Sequence, residues 1–529
     1  MNQNKFMLGS PVLMGDKTIP GVPMPEDLKR LLPEIFRKVS EFGCDFPPTV
    51  VEMLTYDEIS EIAAYGGFPV RYPHWKWGME YEELQRGYMH GMHRIYEMVV
   101  NTNPCYLYCL DSNTLLDNVT VVAHALGHAD FFKNNIYFAQ TSQNMMNELA
   151  NHGTRIRRYM SRWGKERVTE FIDHVLRIET LIDPPKAWEP KRYKNNIPRD
   201  DRKHRHPDRL KVDEGRDYMD GYLNTEEWMR EQHKKIDKME AAEYLDLFVG
   251  STKDIMGFIR DNAPLKTWES DIVSMLYEES IYFAPQRMTK TINEGWASFT
   301  DYQIIARQGL AGLGQESDSS GIIEYAKHKM GVLGGKYSMN PYKLGFSLLC
   351  DIEERWDKGQ FGSEWEDCEN IKEKENWDKK LGLGKEKVFE VRKLYNDITL
   401  IMEFFTPEFC EKYEFFEWKK HPNGEYKIES KDPHRIKAKL VSRYMNGGLP
   451  EIRLVDPNHR GKGIMFLQHN WHGRALHEAY VGPVLESLRR LWKNDVCLAT
   501  KNKGGKELIY RCKTDECIVD MVPREDYEG

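Results

Sequence analysis

Two histidines on one predicted helix are the residues of this sequence best suited to chemistry. His124 and His128 are, with Thr120, the only polar side chains between Val119 and Ala129. A segment that is apolar nearly all round predicts a buried helix. A spacing of four residues places both imidazoles on one face, where a helix can offer two nitrogens to one Zn²⁺ or similar divalent ion. The alternative is a pair of buried histidines that hydrogen-bond to other groups.

The residue that follows the first histidine bears on the reaction. In the metalloprotease motif His-Glu-x-x-His this second residue is a glutamate that acts as the general base. Here it is Ala125, which cannot transfer a proton. If the site is catalytic, its base must come from elsewhere, and Glu279 and Glu148 are the candidates. Asp130 is expected to orient a ligand imidazole through a hydrogen bond.

A third metal ligand has to come from another helix, and Glu294 is the best candidate. In a predicted helix over residues 289–305, Glu294, Ser298 and Asp301 form a polar stripe beside an apolar side. In zinc enzymes whose ligands are two histidines and one glutamate, the glutamate lies on a later helix. Its sequence context there is similar to Asn293–Ser298. The alternative is an acid near a helix N-terminus on a solvated stripe.

Two further predicted helices carry ionisable residues. Glu279 lies in a mostly apolar helix, where a buried carboxylate needs a partner. Glu148, His152 and Arg155 follow one another at spacings of four and three residues. This second pattern indicates either an ion-paired helix face or a second set of site residues.

Composition indicates what kind of chain positions these residues. The protein has 529 residues, of which 40% are apolar and 30% charged, and its formal net charge is −8. A chain of that length is too long for one compact core, so two or more domains are expected. Its mild negative charge offers no general attraction to nucleic acid or to an anionic membrane. No apolar run reaches the roughly 18 residues of a membrane helix. Nine scattered cysteines without a CxxC pair fit a reducing compartment, so we expect a cytoplasmic protein.

The fold class predicted from hydrophobic periodicity is mainly α. We expect an extended N-terminal arm over residues 1–24, a large helical, zincin-like, metal-binding domain over 25–403, and a small α+β domain over 404–529. Residues 80–101 are predicted as a helix.

Residues 184–217 interrupt the helical pattern with prolines and dense basic residues. This basic insertion is either a solvated loop or an anion-binding or nucleic-acid-binding one. Acidic residues are interleaved with the basic ones, which favours the solvated loop, so nucleic acid is not expected as a partner.

Several short motifs together carry a family resemblance. They are Tyr72-Pro-His-Trp75, Asn103-Pro-Cys105, Ala123–Asn135, Pro285-Gln286, Asn293-Glu-Gly-Trp-Ala-Ser298, Asn340-Pro-Tyr-Lys-Leu-Gly345, Asn446-Gly-Gly448 and Val455-Asp456. Spread over about residues 25–515, they resemble the stage V sporulation protein R (SpoVR) family. Many relatives carry a Trp-His pair soon after the Glu-Gly-Trp-Ala-Ser segment, whereas this chain has Thr300-Asp301 there. Aspartate can replace histidine as an oxygen ligand or as an acceptor.

The resemblance implies a biological setting rather than a reaction. The family is associated with formation of the spore cortex, a peptidoglycan layer. In bacteria that never sporulate, gene neighbourhood links it to a PrkA-type serine protein kinase and its companion protein, in stationary-phase or stress responses.

Two hypotheses for the function follow. In the first, the protein is a metal-dependent hydrolase of amidase or peptidase type that acts on a peptide or peptidoglycan-related substrate. His124, His128 and Glu294 then hold Zn²⁺ or another divalent metal. In the second, suggested by Ala125, the protein is a non-enzymatic regulator or scaffold that works with the kinase system.

Overall fold

A computed structural model of the chain describes residues 6–8, 12–14, 17–19, 22–89, 97–185, 251–308, 318–335, 337, 339–513 and 519–523. They form two compact units: the first combines Met1–Asp173 with Lys266–Leu449, and the second combines His174–Leu265 with Pro450–Gly529. From residue 186 onward, the predicted basic insertion lies outside the described residues. No helix in these ranges is long and apolar enough to cross a membrane.

Helices make up most of the described structure, which confirms the mainly α prediction. In chain order they are α1 (Glu26–Phe42), α2 (Tyr56–Ala64), α3 (Trp75–Met89), α4 (Leu115–Asn134), α5 (Met145–Trp163), α6 (Lys165–Leu176), α7 (Ile255–Asn262), α8 (Thr267–Met288), α9 (Lys290–Asp301), α10 (Asp318–Leu333), α11 (Pro341–Lys358), α12 (Ser363–Glu366), α13 (Ile371–Glu375), α14 (Gly384–Leu394), α15 (Asp397–Phe404), α16 (Pro407–Lys412), α17 (Pro433–Tyr444) and α18 (Glu478–Trp492). A π-helical turn, Tyr302–Arg307, continues α9.

Strands form four sheets among the described residues. They are β1 (Phe6–Leu8), β2 (Val12–Met14), β3 (Lys17–Ile19), β4 (Thr49–Leu54), β5 (Glu97–Val100), β6 (Cys105–Leu110), β7 (Glu417–Lys420), β8 (Tyr426–Ser430), β9 (Ile452–His459), β10 (Ile464–His469), β11 (Val496–Lys501), β12 (Glu507–Cys512) and β13 (Val519–Pro523). The second unit contains the five-stranded sheet β13-β12-β11-β10-β9, whose parallel pair β10–β11 is connected through α18. This sheet confirms the predicted small C-terminal α+β region.

The first unit also contains a four-stranded sheet that the sequence did not predict, in the order β1-β4-β6-β5. Its inner strands β4 and β6 are almost wholly buried. Short apolar runs of this kind cannot be distinguished from buried helix by periodicity alone. The helix predicted over residues 80–101 was therefore wrong at its end, because Glu97–Val100 is an edge strand that pairs antiparallel with β6.

Helix α4 is the centre of the first unit. Thr114 and Asp117 form a capping box that fixes its start, and every residue from Asn118 to Phe132 is buried. It packs against α1, α9 and the sheet strands β5 and β6. The predicted burial of the histidine helix is therefore confirmed.

Glycines allow α9 to approach its neighbours closely. A Cβ added to Gly127 of α4 would lie 2.9 Å from the Cα of Ala297, and one added to Gly295 would lie 2.4 Å from the backbone of Gly345 in α11. Real Cβ atoms do not approach backbone so closely, so these contacts need residues without a side chain. The crossing of α4, α9 and α11 thus depends on glycine at the contact points.

Replacing Gly295 by alanine should separate α9 from α11. We expect the substitution to cost roughly 1–3 kcal/mol of folding free energy, as overpacked cores do, and to lower the thermal midpoint by a few degrees. Gly78 in α3 is the matched control, because an added Cβ there meets nothing within 4 Å. Gly78→Ala should leave the midpoint unchanged or slightly raised in the same calorimetric scan. Equal midpoints for both variants would contradict the close-contact argument.

Candidate functional site

The two histidine side chains are each only 10% exposed and are held by hydrogen bonds at one ring nitrogen. The Nδ1 of His124 lies 2.9 Å from Asp301 Oδ2, and the Nδ1 of His128 lies 2.9 Å from Asn293 Oδ1. Both partner oxygens are acceptors, so each Nδ1 donates a proton. The Nε2 atoms remain for another ligand, an arrangement usual for metal-binding histidines.

Glu294 lies where the sequence analysis predicted a third ligand. Its Oε2 is 3.4 Å from His128 Nε2 and 3.9 Å from His124 Nε2. The three predicted metal residues, which are distant in the sequence, therefore converge in space. The helix spacing explains this, because α4 and α9 pack side by side and the glutamate faces the imidazoles.

Glu97 is a fourth member of the cluster that the sequence analysis missed. Its Oε1 lies 3.5 Å from His124 Nε2. Ligand atoms of Glu97, His124 and His128 all lie within 4.8 Å of one another. Its second oxygen, Oε2, is buried and has no hydrogen-bond partner among the described residues. No sequence signal marked Glu97, because it lies on β5, in the segment that we predicted as helix.

Asp301 connects the first histidine to buried charged and polar groups. Besides His124, it accepts hydrogen bonds from the Tyr325 hydroxyl at 2.6 Å and from Lys329. The Lys329 ammonium lies 2.7 Å from Asp301 Oδ1. Asp301 is thus an acceptor that fixes the imidazole of His124.

Burial and the neighbouring charges shift the pKa values of the cluster residues. Burial lowers the pKa of His124, but the carboxylates of Glu97, Asp301 and Glu294 outweigh this and raise that pKa to about 10. Burial likewise raises the pKa of Glu294, and the two histidines reverse this, so that it falls well below its ordinary value. The pKa of Glu97 is raised, chiefly by burial.

Together these groups suit a divalent cation. Three carboxylates, those of Glu97, Glu294 and Asp301, share the cluster with one ammonium, that of Lys329. With neutral imidazoles this leaves two negative charges, which a divalent ion would balance. Imidazole nitrogens and carboxylate oxygens are ligands that zinc and similar ions prefer. The Oε2 of Glu97, which has no hydrogen-bond partner in the described part of the chain, is consistent with a missing positive group.

The cluster lies at a cavity of about 940 Å³. Its walls combine polar, apolar and cationic side chains, which include Met98, Val121, Phe132, Phe283, Arg287, Lys290, His328 and Tyr342. A cavity of this size accommodates a small molecule or the end of a peptide.

Asp130, which we predicted to orient an imidazole, lies elsewhere. It accepts hydrogen bonds from Trp296 Nε1 at 2.9 Å, from Arg392 at 3.1 Å and from the backbone N–H of Asp45 at 2.7 Å. The reason is geometric: two residues past His128 is about 200° around the helix, on the opposite face. Asp301 and Asn293 occupy the orienting positions instead.

The two candidate bases also lie outside the cavity lining. Glu279 is buried in an ion pair with Arg71 at 2.8 Å and lies 3.1 Å from His152 Nδ1. Glu148 accepts a hydrogen bond from Ser142 at 2.8 Å. Arg155, the third residue of the α5 pattern, pairs with Asp271. Two residues of the α5 pattern, His152 and Arg155, thus contact acidic partners on α8, and the structure does not bring Glu279 or Glu148 to the two histidines of α4.

The sequence of the chain is similar to those of known proteins of one family. Residues 24–449 match the family model described as SpoVR like protein, and residues 450–503 match the SpoVR-like C-terminal domain. A curated relative, the uncharacterized protein YcgB of Escherichia coli (strain K12), is 27% identical over 515 residues. The alignment covers 91% of this chain and 93% of that protein. No solved structure matches the chain.

Metal binding to this cluster should release protons. Because His124 has a pKa of about 10 without a metal, it is protonated at about pH 7.5 and must lose that proton to become a ligand. We expect about one proton released per divalent ion, measured by calorimetric titration with Zn²⁺ in two buffers of different ionisation enthalpy.

A histidine outside the cavity provides the control for this measurement. The pKa of His152 is raised to about 9, where the carboxylates of Glu278 and Glu279 outweigh the lowering by burial. His152→Gln should leave the proton release unchanged. Identical heats in both buffers for the unmodified protein would contradict the assigned charge state.

Proposed function

The chain belongs to the SpoVR family, and we propose that it is a metal-dependent hydrolase of amidase or peptidase type. The observation that carries the proposal is the convergence of His124, His128 and Glu294 around one point, at distances of 3.4 and 3.9 Å between the glutamate and the two imidazoles. Two histidines and one glutamate on two helices are the ligand set of zincin-like hydrolases. A divalent ion held there would lower the pKa of a bound water toward neutrality.

The residues around this point have separate roles in the proposal. Glu294 is the third ligand in the proposal, because its Oε2 lies 3.4 and 3.9 Å from the two imidazoles, whereas Glu97 lies 3.5 Å from His124 and within 4.8 Å of His128. Asp301 and Asn293 fix the two rings, so that both Nε2 atoms face the same point. Ring orientation of this kind strengthens metal binding.

Glu97 is the proposed general base. The hydrolase motif with a glutamate after the first histidine is not available, because Ala125 occupies that position. Glu97 reaches the same histidine from β5, and its Oε2 has no hydrogen-bond donor among the described residues. A carboxylate beside the site with an oxygen that lacks a hydrogen-bond partner can accept a proton from water and return it to the leaving amine. It replaces Glu279 and Glu148, whose carboxylates have partners elsewhere.

The family name supplies the setting of the proposal. We propose a peptide or peptidoglycan-related amide as the substrate, in spore-cortex formation or in a stationary-phase or stress response. Cooperation with a PrkA-type serine kinase and its companion protein is part of the same proposal, as is a cytoplasmic location.

A non-enzymatic regulatory or scaffold role is the second candidate, and Ala125 is the observation that favours it. In that case the cluster would bind a metal for stability alone. Turnover distinguishes the two functions. The hydrolase should have a turnover that falls when the base Glu97 is replaced, whereas the scaffold should have none.

Substitution of the two glutamates should separate their roles. We expect Glu294→Gln to weaken metal binding at least tenfold, because a metal ligand matters no less than the groups that orient it. Glu97→Gln should keep the metal but lower turnover about 10²- to 10⁴-fold, the usual contribution of a general base. Metal content is measured by mass spectrometry, and turnover on a mixture of peptides and peptidoglycan fragments by product mass.

Glu148→Gln is the matched control, because this glutamate contacts Ser142 and not the cluster; it should change neither quantity. If Glu97→Gln loses the metal and Glu294→Gln retains it, the two roles are exchanged. A fully loaded protein that hydrolyses nothing in the mixture would favour the scaffold role.

A further inference from the structure

The cavity extends along α4 on both sides of the histidine pair. His128 contacts Asn293 while His124 contacts Asp301, so α9 runs antiparallel to α4. Thr120 and Phe132, three turns apart on α4, both line the cavity. A ligand bound at the histidines can therefore reach the N-terminal end of α9.

Lys290 stands at that end of the cavity. It is the first residue of α9 and lies one turn before Glu294, so its side chain starts about 6 Å from the proposed metal ligand on the same helix face. The side chain lines the cavity and is exposed. No carboxylate of the described residues forms an ion pair with Lys290.

The backbone N–H groups at the N-terminus of α9, beside Lys290, already have hydrogen-bond partners within the protein. Asp397 accepts hydrogen bonds from the backbone N–H groups of Thr291 at 2.9 Å and Ile292 at 2.8 Å. These amides are therefore closed to a ligand. The ammonium of Lys290 is the cationic group at this end of the cavity that can still take an anionic partner, and Arg287, one turn earlier in the chain, lines the same wall.

Apolar side chains line the cavity beside this cationic end. Phe132 stacks on His128, with ring centroids 6.2 Å apart and planes at 18°. Phe283 lines the cavity on α8, one turn before Arg287. Beyond the cluster suited to a cation, the cavity therefore presents aromatic side chains and a positive charge.

From this arrangement we propose that the substrate carries a carboxylate, which Lys290 binds, about one residue away from the bond to be cleaved. The substrate class is a short acyl or peptide compound with a free carboxylate and an apolar group that packs on Phe132 and Phe283. This inference rests on the proposed function, since it takes the histidine cluster as the reacting end.

Two hydroxamates of equal length provide the test on zinc-loaded protein. Succinic acid monohydroxamate and butyrohydroxamic acid both chelate the metal, and only the first has a carboxylate at the far end. We expect the unmodified protein to bind the carboxylate compound about tenfold more tightly, as a charge-assisted hydrogen bond allows. Affinity is measured by calorimetry at low salt, and the preference should shrink as salt is added.

Substitutions assign the preference to one side chain. Lys290→Gln should reduce the ratio of the two dissociation constants to about one, and Lys290→Arg should largely retain it. Lys372→Gln is the matched control, because this lysine is exposed on α13 and does not line the cavity; the ratio should stay at its unmodified value.

The outcomes distinguish this inference from the proposed function. If zinc binds but the two hydroxamates bind equally well, or if Lys290→Gln keeps the preference, the carboxylate assignment is overturned and the metal site stands. If no zinc binds, the proposed function fails, and the inference fails with it. A tenfold preference that only the lysine-to-glutamine change at 290 removes supports both.

Discussion

The concentration of charge around His124 and His128 is the constraint on which the rest of the structure depends. Burying a carboxylate is costly unless a positive or donating group compensates it, and this cluster contains three. Lys329 and Tyr325 compensate one of them, Asp301. The remaining two are directed at the imidazoles. Such an arrangement can be stabilised either by protonated histidines or by a bound cation, and Asp301 and Asn293 fix the orientation of both rings.

The backbone has to hold these groups together against their mutual repulsion. Gly127 and Gly295 let α9 lie close to α4 and α11, and Asp130 then fixes α9 from behind through its bond to Trp296. Asp130 also binds Arg392, whose guanidinium is stacked on the Trp296 ring at 5.4 Å. The aspartate thus positions the helix that carries Glu294 and Asp301, which is a structural contribution to the site rather than contact with a ligand.

The sequence predicted the helical part of the site because helix periodicity and motif spacing report which residues share a face. His124, His128 and Glu294 were identified in this way. Asp130 does not orient an imidazole, because a count of 100° per residue places it on the far side of α4 from the histidines. Glu97 could not be identified in this way, since its segment was predicted as a helix, whereas its contact with His124 depends on the tertiary packing of strand β5. The family resemblance is confirmed over nearly the whole chain, but it indicated the family and no reaction.

In the proposed function, the unpredicted sheet supplies the base that the histidine helix itself lacks. In the familiar motif the ligands and the base share one helix, so their geometry is set by local spacing. Here the proposed base stands on β5, which is held in register by β6, and both strands pack on α4. The distance between base and ligand therefore depends on the packing of a sheet against a helix. Among the described residues, β5 is an edge strand that pairs with β6, so the position of Glu97 depends on this pairing, and the sheet belongs to the proposed site as much as the helices do.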